Sequence, residues 1–561
     1  MNKIRIPIFV CLVSAVLFSL TTLSFSFDIS LISFPVSILF SVISAYFLFF
    51  KTLQKKEFFS AKVSRKLLQY ICFVFLAAFI IRRAGANGTP YWLDVISVFF
   101  WCVTFVSSLI ILHFFKEKRI YSLESEWKNQ KSAKGKIIGS VKISAKSVLK
   151  EIVDWIDALV QAIFMVLLIQ IFIFQLYVIP SESMVPYFLI GDRVFVFKTL
   201  SGPKFPLSDV GLPEFKKYKR GDVVVFRNPH YSLDRKSEVK TVVSQILYML
   251  TLTAVNINVD ENGELKADPL VKRLCGLPGE QLVLQDGVLY AKTKENPEFT
   301  PVDYDATRAY WSLNELPENV KQKIKYIPLS KKDYEDMILI ENERNALNLE
   351  DAAIECKSIV QNYKKLGVKL ADCSELFNIA NYLIYSQENF SNFMTDWINQ
   401  KDESVKKIAD DPYKMANFKL NLMIKLNVGR YVLRKCQMAK LNQEHLFLTD
   451  EKIKEYNKMS ELLYKYIQIL DQRNMPVFPA NDENGNAQFI PEDCYFMMGD
   501  NRFNSLDMRH SYEQKLVPLT EFDEYSISYY SNMEPQYVNK KYILGTTSFR
   551  ILPVNRAGLL K

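Results

Sequence analysis

Apolar residues crowd into long uninterrupted runs within the first 180 positions, and this sets the architecture before any other feature is weighed. Ile6–Phe27 and Ile29–Phe50 are uncharged runs of 22 residues separated by Asp28. A bilayer core about 30 Å thick needs roughly 20 apolar residues in a helix. Val95–Phe115 and Ala158–Ile179 meet that length, whereas Leu67–Ile81, with 15 residues, is marginal. The first run lacks a small-x-small cleavage site and a second run follows at once, so it reads as a retained span. The expectation is about five transmembrane helices in a membrane domain covering 1–180.

Lys and Arg set the orientation. Lys3 and Arg5 precede the first run; Lys51, Lys55, Lys56, Lys62, Arg65 and Lys66 follow the second; ten more fill Lys116–Lys150. All three loops favour the cytoplasm, so the N-terminus is expected inside and everything after Ile179 outside, with Arg82 and Arg83 a small violation. The net charge of +9 lies largely in these loops, which argues for topology and against nucleic acid as a partner.

Beyond Ile179 the pattern changes to short β-type runs: Arg193–Lys198, Val223–Phe226 and Pro269–Cys275, with a hairpin turning at Asp286-Gly287. Val242–Ile257 is strongly apolar and reads as a core segment, with a surface resting on lipid as the alternative. From about 295 to 475 helix formers dominate, most clearly in Asn342–Tyr363, Ala371–Tyr385 and Asp450–Leu470. Strand patterns return at Cys494–Met498 and from Tyr542 to Pro553. The chain therefore divides into a membrane domain (1–180), a β domain in two parts (181–294 and 476–561) and a helical insertion (295–475) whose role the sequence does not state. Cys275, Cys356, Cys373, Cys436 and Cys494 are odd in number and lack zinc-ligand spacing, so they read as buried free thiols.

The stretch Ile179-Pro180-Ser181-Glu182-Ser183-Met184-Val185-Pro186 follows the last apolar run, and its prolines keep it from continuing a helix. It is either a polar cap on a membrane helix or a nucleophile held at the membrane surface. A serine nucleophile needs a base. The four histidines, His113, His230, His445 and His510, fall in no context that marks a triad. Lys272 sits in a β run with Leu270 and Leu274 on its own face and Arg273 on the other. Apolar burial can lower a lysine pKa from about 10.4 into a range where the neutral amine acts as a base. The plain alternative for Lys272-Arg273 is an exposed charge pair at a strand end.

Four motifs occur in order: Pro-Ser-x-Ser-Met-x-Pro after an apolar run, Arg-Gly-Asp-Val-Val-Val-Phe, Lys-Arg-x-x-Gly-Leu-Pro-Gly, and Gly-Asp-Asn-Arg-x-Asn-Ser-x-Asp-x-Arg. Together they closely resemble the bacterial type I signal peptidases, membrane-bound Ser/Lys endopeptidases, over about Val178–Gly287 and Phe489–Lys561. The resemblance implies Ser183 as nucleophile, Lys272 as general base, and Ser181 with the Ser183 N–H as the oxyanion hole. It implies Ser505 as the residue orienting the lysine, and Asp507 and Arg509 as a buttressing pair with Arg273 as a third member. Ile179, Pro180, Met184 and Val271 would shape pockets for small side chains at −1 and −3 of the cleavage site. It further implies a mostly antiparallel β fold, no metal and no cofactor. The partners implied are signal peptides of exported preproteins and the lipid bilayer of the cytoplasmic membrane, with secretion machinery as a candidate. Tyr187 and Met508 depart from the family pattern, as do the extra spans and the insertion. Two rival readings are a self-cleaving relative and a polytopic scaffold or transporter with an inactive outer domain.

Overall fold

The computed structural model describes residues 2–54, 58–85, 88–115, 145–231, 234–259, 263–305, 318–322, 324, 330–369, 376 and 386–560. Most of the basic loop 116–150, the expected helix Ala371–Tyr385 and Cys373 lie outside them.

Among the described residues, four helices are long and apolar enough to cross a membrane: Ile29–Gln54, Ser60–Arg83, Tyr91–Phe114 and Glu151–Phe172. The marginal run proves long enough, and one expectation is corrected here. The marginal run Leu67–Ile81 lies within a 26-residue helix, Phe58–Arg83, because polar residues on both sides extend it. Conversely, the first run is helical only as Asn2–Thr21, and its apolar part, Arg5–Thr21, is shorter than the other four. At 1.5 Å per residue it covers about 26 Å.

Small hydroxyl side chains line the contacts between these helices. Ser14 meets Thr104 at 2.8 Å, Ser19 meets Ser41 at 3.0 Å and Thr22 meets Ser37 at 2.8 Å. Small residues let helices approach closely where no water competes for their hydroxyls. At one end of the bundle Arg82 pairs with Asp94. The other Asp94 oxygen accepts from Ser208 at 2.8 Å, and Arg83 donates to the Leu207 carbonyl at 2.6 Å. The loop 205–210 of the β domain is thereby fastened to the helices.

The last apolar run is not helical throughout. Its helix, Ala145–Phe172, stops seven residues before the end expected for it, and Phe174–Val178 forms strand β1. Pairing with β2 (Arg193–Phe197) in the register Phe174↔Phe197 to Val178↔Arg193 takes precedence over continuing the helix. Ser183 therefore hangs from a strand of the β domain, not from a helix end.

β1 is the end strand of an eight-stranded antiparallel sheet in the order β1-β2-β13-β3-β4-β9-β12, with β14 (Gly558–Leu559) paired to β13. The other members are β3 (Val223–Phe226), β4 (Leu270–Gly276), β9 (Cys494–Met498), β12 (Val538–Asn539) and β13 (Ile543–Leu552). β5 (Gln281–Gln285) and β6 (Val288–Lys292) form the expected hairpin, flanked by β7 (Thr300–Pro301) and β8 (Met475–Phe478). Asp286 and Gly287 both take positive φ, 54° and 79°, as a two-residue hairpin of matching twist requires. A separate hairpin pairs β10 (His510–Pro518) with β11 (Ser528–Met533).

Helices Lys331–Ala346, Leu349–Leu366, Gln387–Ile408, Pro412–Lys440 and Glu451–Gln468 lie between β7 and β8. Their apolar core is continuous with Leu519, Ile527 and Tyr529 of the β10–β11 hairpin region. The buried Lys425–Asp523 pair at 2.7 Å and the Arg344–Asp286 pair join helix to β domain. Cys275, Cys356, Cys436 and Cys494 are buried free thiols.

Val242–Ile257 is not a core segment. Its first part ends the helix Arg235–Leu250, and Val243, Leu250, Leu252, Val255 and Ile257 are exposed. One face of this helix packs on the apolar helices through Ile246 and Met249, and another lines the cavity described next.

Candidate active site

Lys272 lies on β4, opposite Val224 of β3, deep enough in the sheet that only 3 % of it is exposed. Both faces of β4 are buried at this point, so Arg273 and Leu274 are buried too. Burial pushes the Lys272 amine down to about 8, opposed by the nearby Asp507 carboxylate.

The segment after β1 brings the serines to the same place. Ile179 donates to the Asp192 carbonyl at 2.9 Å and accepts from Gly191 N–H at 2.9 Å, which closes the loop carrying Ser181 and Ser183. The Ser181 hydroxyl donates to Ser183 Oγ at 3.2 Å. Ser181, Ser183 and Lys272 share one cavity of about 740 Å³, together with Ile179, Pro180, Met184 and Val271. That volume is within the range of about 300–1,000 Å³ usual for ligand sites. Ser183 and Lys272 are not hydrogen-bonded to each other, and such contacts commonly tighten only when substrate is bound.

A loop from Gly499 to Arg509 forms the back wall. Asn501 fastens the serine loop by donating from its N–H to the Ser183 carbonyl at 3.1 Å and from its amide to the Glu182 carbonyl at 3.2 Å. A Cβ on Gly499 would overlap both the Ser505 hydroxyl and the Ser183 carbonyl, so only glycine lets these groups approach. Asp507, fully buried, accepts from Gly499 N–H at 2.8 Å, Ser505 Oγ at 2.8 Å and the Arg509 guanidinium at 2.9 and 3.0 Å. The Arg509 charge holds this carboxyl well below its usual range despite burial.

One expectation changes. Arg273 does not join the Asp507–Arg509 pair; it binds Asp500 through two 2.6 Å hydrogen bonds, with its guanidinium over the Tyr187 ring at 4.7 Å. Tyr187 therefore has a structural role that its sequence position did not signal. The Ser505 hydroxyl donates to the Asp507 carboxylate. Gly499 and Asn501 were legible as parts of a motif but not as the residues against which the serine loop is held. His510 is buried, its ring pushed down to about 4 by burial and by Arg509, which leaves it neutral at physiological pH.

Burial alone does not single out Lys272. Lys198 is also pushed down to about 8 by burial, yet it donates to the Gln170 carbonyl and Gln175 Oε1 and lines a different cavity. Lys272 is distinguished by the hydroxyls that share its cavity.

Fold and cavity together define a class: an antiparallel β domain joined to apolar helices, with a buried amine and two serine hydroxyls opening on one cleft. The chain belongs to the signal peptidase, peptidase S26 family, whose model matches residues 152–342 and 437–552, more than half of the chain. Three similar proteins are named for that activity. Signal peptidase I of Buchnera aphidicola subsp. Schizaphis graminum is 37 % identical over 79 residues, 14 % of this chain and 25 % of its own. Signal peptidase I of Haemophilus influenzae is 24 % identical over 202 residues, 36 % of this chain and 56 % of its own. Signal peptidase I P of Bacillus subtilis subsp. natto is 29 % identical over 153 residues, 26 % of this chain and 55 % of its own. The aligned regions thus span about a quarter to just over half of these relatives.

Proposed function

We propose that the protein removes N-terminal signal peptides from exported preproteins at the outer face of the cytoplasmic membrane, by Ser/Lys acyl-enzyme hydrolysis. The observation that carries this reading is the desolvated Lys272 amine in the same cavity as Ser183 and Ser181. Ser183 Oγ attacks the scissile carbonyl as Lys272 Nζ takes its proton. The tetrahedral oxyanion is held by the Ser181 hydroxyl and the Ser183 N–H. Collapse breaks the C–N bond, and the lysine proton goes to the leaving amine. Water, deprotonated in turn by Lys272, then releases the signal peptide from Ser183.

Substrate placement follows from the edges. β1 has no sheet neighbour beyond it, and β9 pairs with β4 only from Arg273 onward. An extended peptide between them presents alternate side chains to one wall, which suits small residues at −1 and −3 against Ile179, Pro180, Met184 and Val271. Membrane helices with a cytoplasmic N-terminus would hold this cleft where a signal peptide emerges. A scaffold or transporter reading gives no reason for a desolvated amine beside serines.

The test is processing, by the full-length protein in membranes, of a preprotein whose signal ends in Ala-x-Ala. Cleavage after the second alanine is expected, with loss of at least about 100-fold when that alanine becomes leucine. An intact preprotein, or cleavage indifferent to that change, would refute the reading. Ser181→Ala, which removes one oxyanion donor, is expected to lower kcat by about 10²- to 10³-fold with little change in KM.

A further inference from the structure

The helix Arg235–Leu250 reaches across the cleft to the edge at which a substrate strand would pair. Along Ile173–Ile179, the stretch that contains β1, alternate residues bond toward the β2 side: at its two ends Ile173 accepts from Lys198 N–H, and Ile179 bonds with Asp192 and Gly191. By that alternation the backbone of Val178 faces the free side. Its N–H is already occupied, donating to the Tyr248 hydroxyl at 3.3 Å.

Thr241, Ser244, Gln245 and Tyr248, spaced as one face of a helix, all line the cavity. The chain returning from the helix is stapled to that face, since Ser244 Oγ donates to Asn256 Oδ1 at 2.8 Å and accepts from Ile257 N–H at 2.9 Å. The turn between them holds Leu252 and Thr253 at φ 49° and 76°. Left-handed backbone is uncommon for such residues, above all a β-branched one, and strain of this kind gathers at ligand clamps. Three residues lining the cavity also carry a buried polar atom with no hydrogen-bond partner among the described residues: Tyr177 OH, Gln245 Nε2 and Asn258 Nδ2. Unpaired buried polar atoms are costly, and they gather on this wall of the cleft.

We propose that Tyr248 gates the cleft, its hydroxyl standing in for the substrate backbone on Val178 N–H until an extended signal-peptide segment displaces it. The gate rests on the substrate reading given above but not on the Ser/Lys chemistry. Its test therefore uses binding. In full-length Ser183→Ala protein, a synthetic signal peptide ending in Ala-x-Ala is titrated with and without Tyr248→Phe, which keeps the ring and removes the hydroxyl. Because the lost hydrogen bond competes with substrate, Tyr248→Phe is expected to tighten binding about two- to tenfold. Amide exchange at Val178 should be faster in the free variant and equally slow in both when peptide is bound. Unchanged or weaker binding, or unchanged exchange, would overturn the gate. Tighter binding in a protein whose Ser183 form cleaves nothing would keep the gate and remove the catalytic reading. Binding to neither protein would remove both.

Discussion

Lys272→Met is expected to abolish preprotein processing and, at the same time, to raise the thermal midpoint of the protein. The two effects share one cause. Unfolded, the lysine has its ordinary pKa of about 10.4; folded, burial pushes it down to about 8. Between those values the unfolded chain binds more protons than the folded one, so stability rises with pH across that window. Below about pH 8 the cost of burying this amine is present in full, about 3 kcal/mol at 1.36 kcal/mol per unit. Methionine fills the same space without a charge, and its gain should fade as pH approaches 10. Ser183→Ala should be equally inactive with an unchanged midpoint. Thermal unfolding from pH 7 to 10, measured beside processing, checks all three statements. Full processing by either variant would end the account, whereas a midpoint lowered by Lys272→Met would show that the amine is not desolvated at a cost.

Asp507→Ala is expected to lower both stability and activity. It would leave Arg509 buried without its carboxylate partner, and breaking a buried pair from one side costs about 3–5 kcal/mol. It would also free the two groups that Asp507 fixes, Gly499 N–H and Ser505 Oγ, and Gly499 packs closely on the Ser183 carbonyl. A loss of about 1 Å in positioning can reduce rate about 100-fold. Denaturant unfolding and single-turnover cleavage of the same sample separate the two effects. Since Arg509 depresses the Asp507 carboxyl, the stabilisation is complete above its unfolded pKa of about 3.9 and is lost as pH falls below it. Wild-type unfolding should therefore show an acid limb that Asp507→Ala lacks.

How much of this was legible depended on whether a residue's environment left a local trace. β3 and the β5–β6 hairpin were readable because Val223–Phe226 is a continuous buried run and Asp286-Gly287 is turn chemistry. Lys272 was readable from its leucine neighbours on a strand. The helix Pro412–Lys440 was not, although it is the longest in the insertion. It is buried on nearly all sides, so no amphipathic period survives, and its interior polar residues look like surface. Asn421 and Lys425 are in fact satisfied by Asp523, about a hundred positions away. The single helix Asn342–Tyr363 suggested by periodicity is two helices, broken where Asn348 caps the second. β1 was hidden inside an apolar run whose composition suits a membrane helix equally well, and only its partner β2 decides between them. The Arg273–Asp500 pair was missed for the same reason: 227 residues separate its members, and Asp507 was the nearer match by motif alone.

The central claim is that an amine with a pKa near 8 is the base that activates Ser183. The most direct measurement is the pH dependence of kcat/KM for preprotein cleavage, which reports the free enzyme's essential groups. An ascending limb with a midpoint near 8 is predicted, absent from the residual activity of any Lys272 variant. A limb near 10, or a midpoint near 6 that follows a histidine, would contradict it.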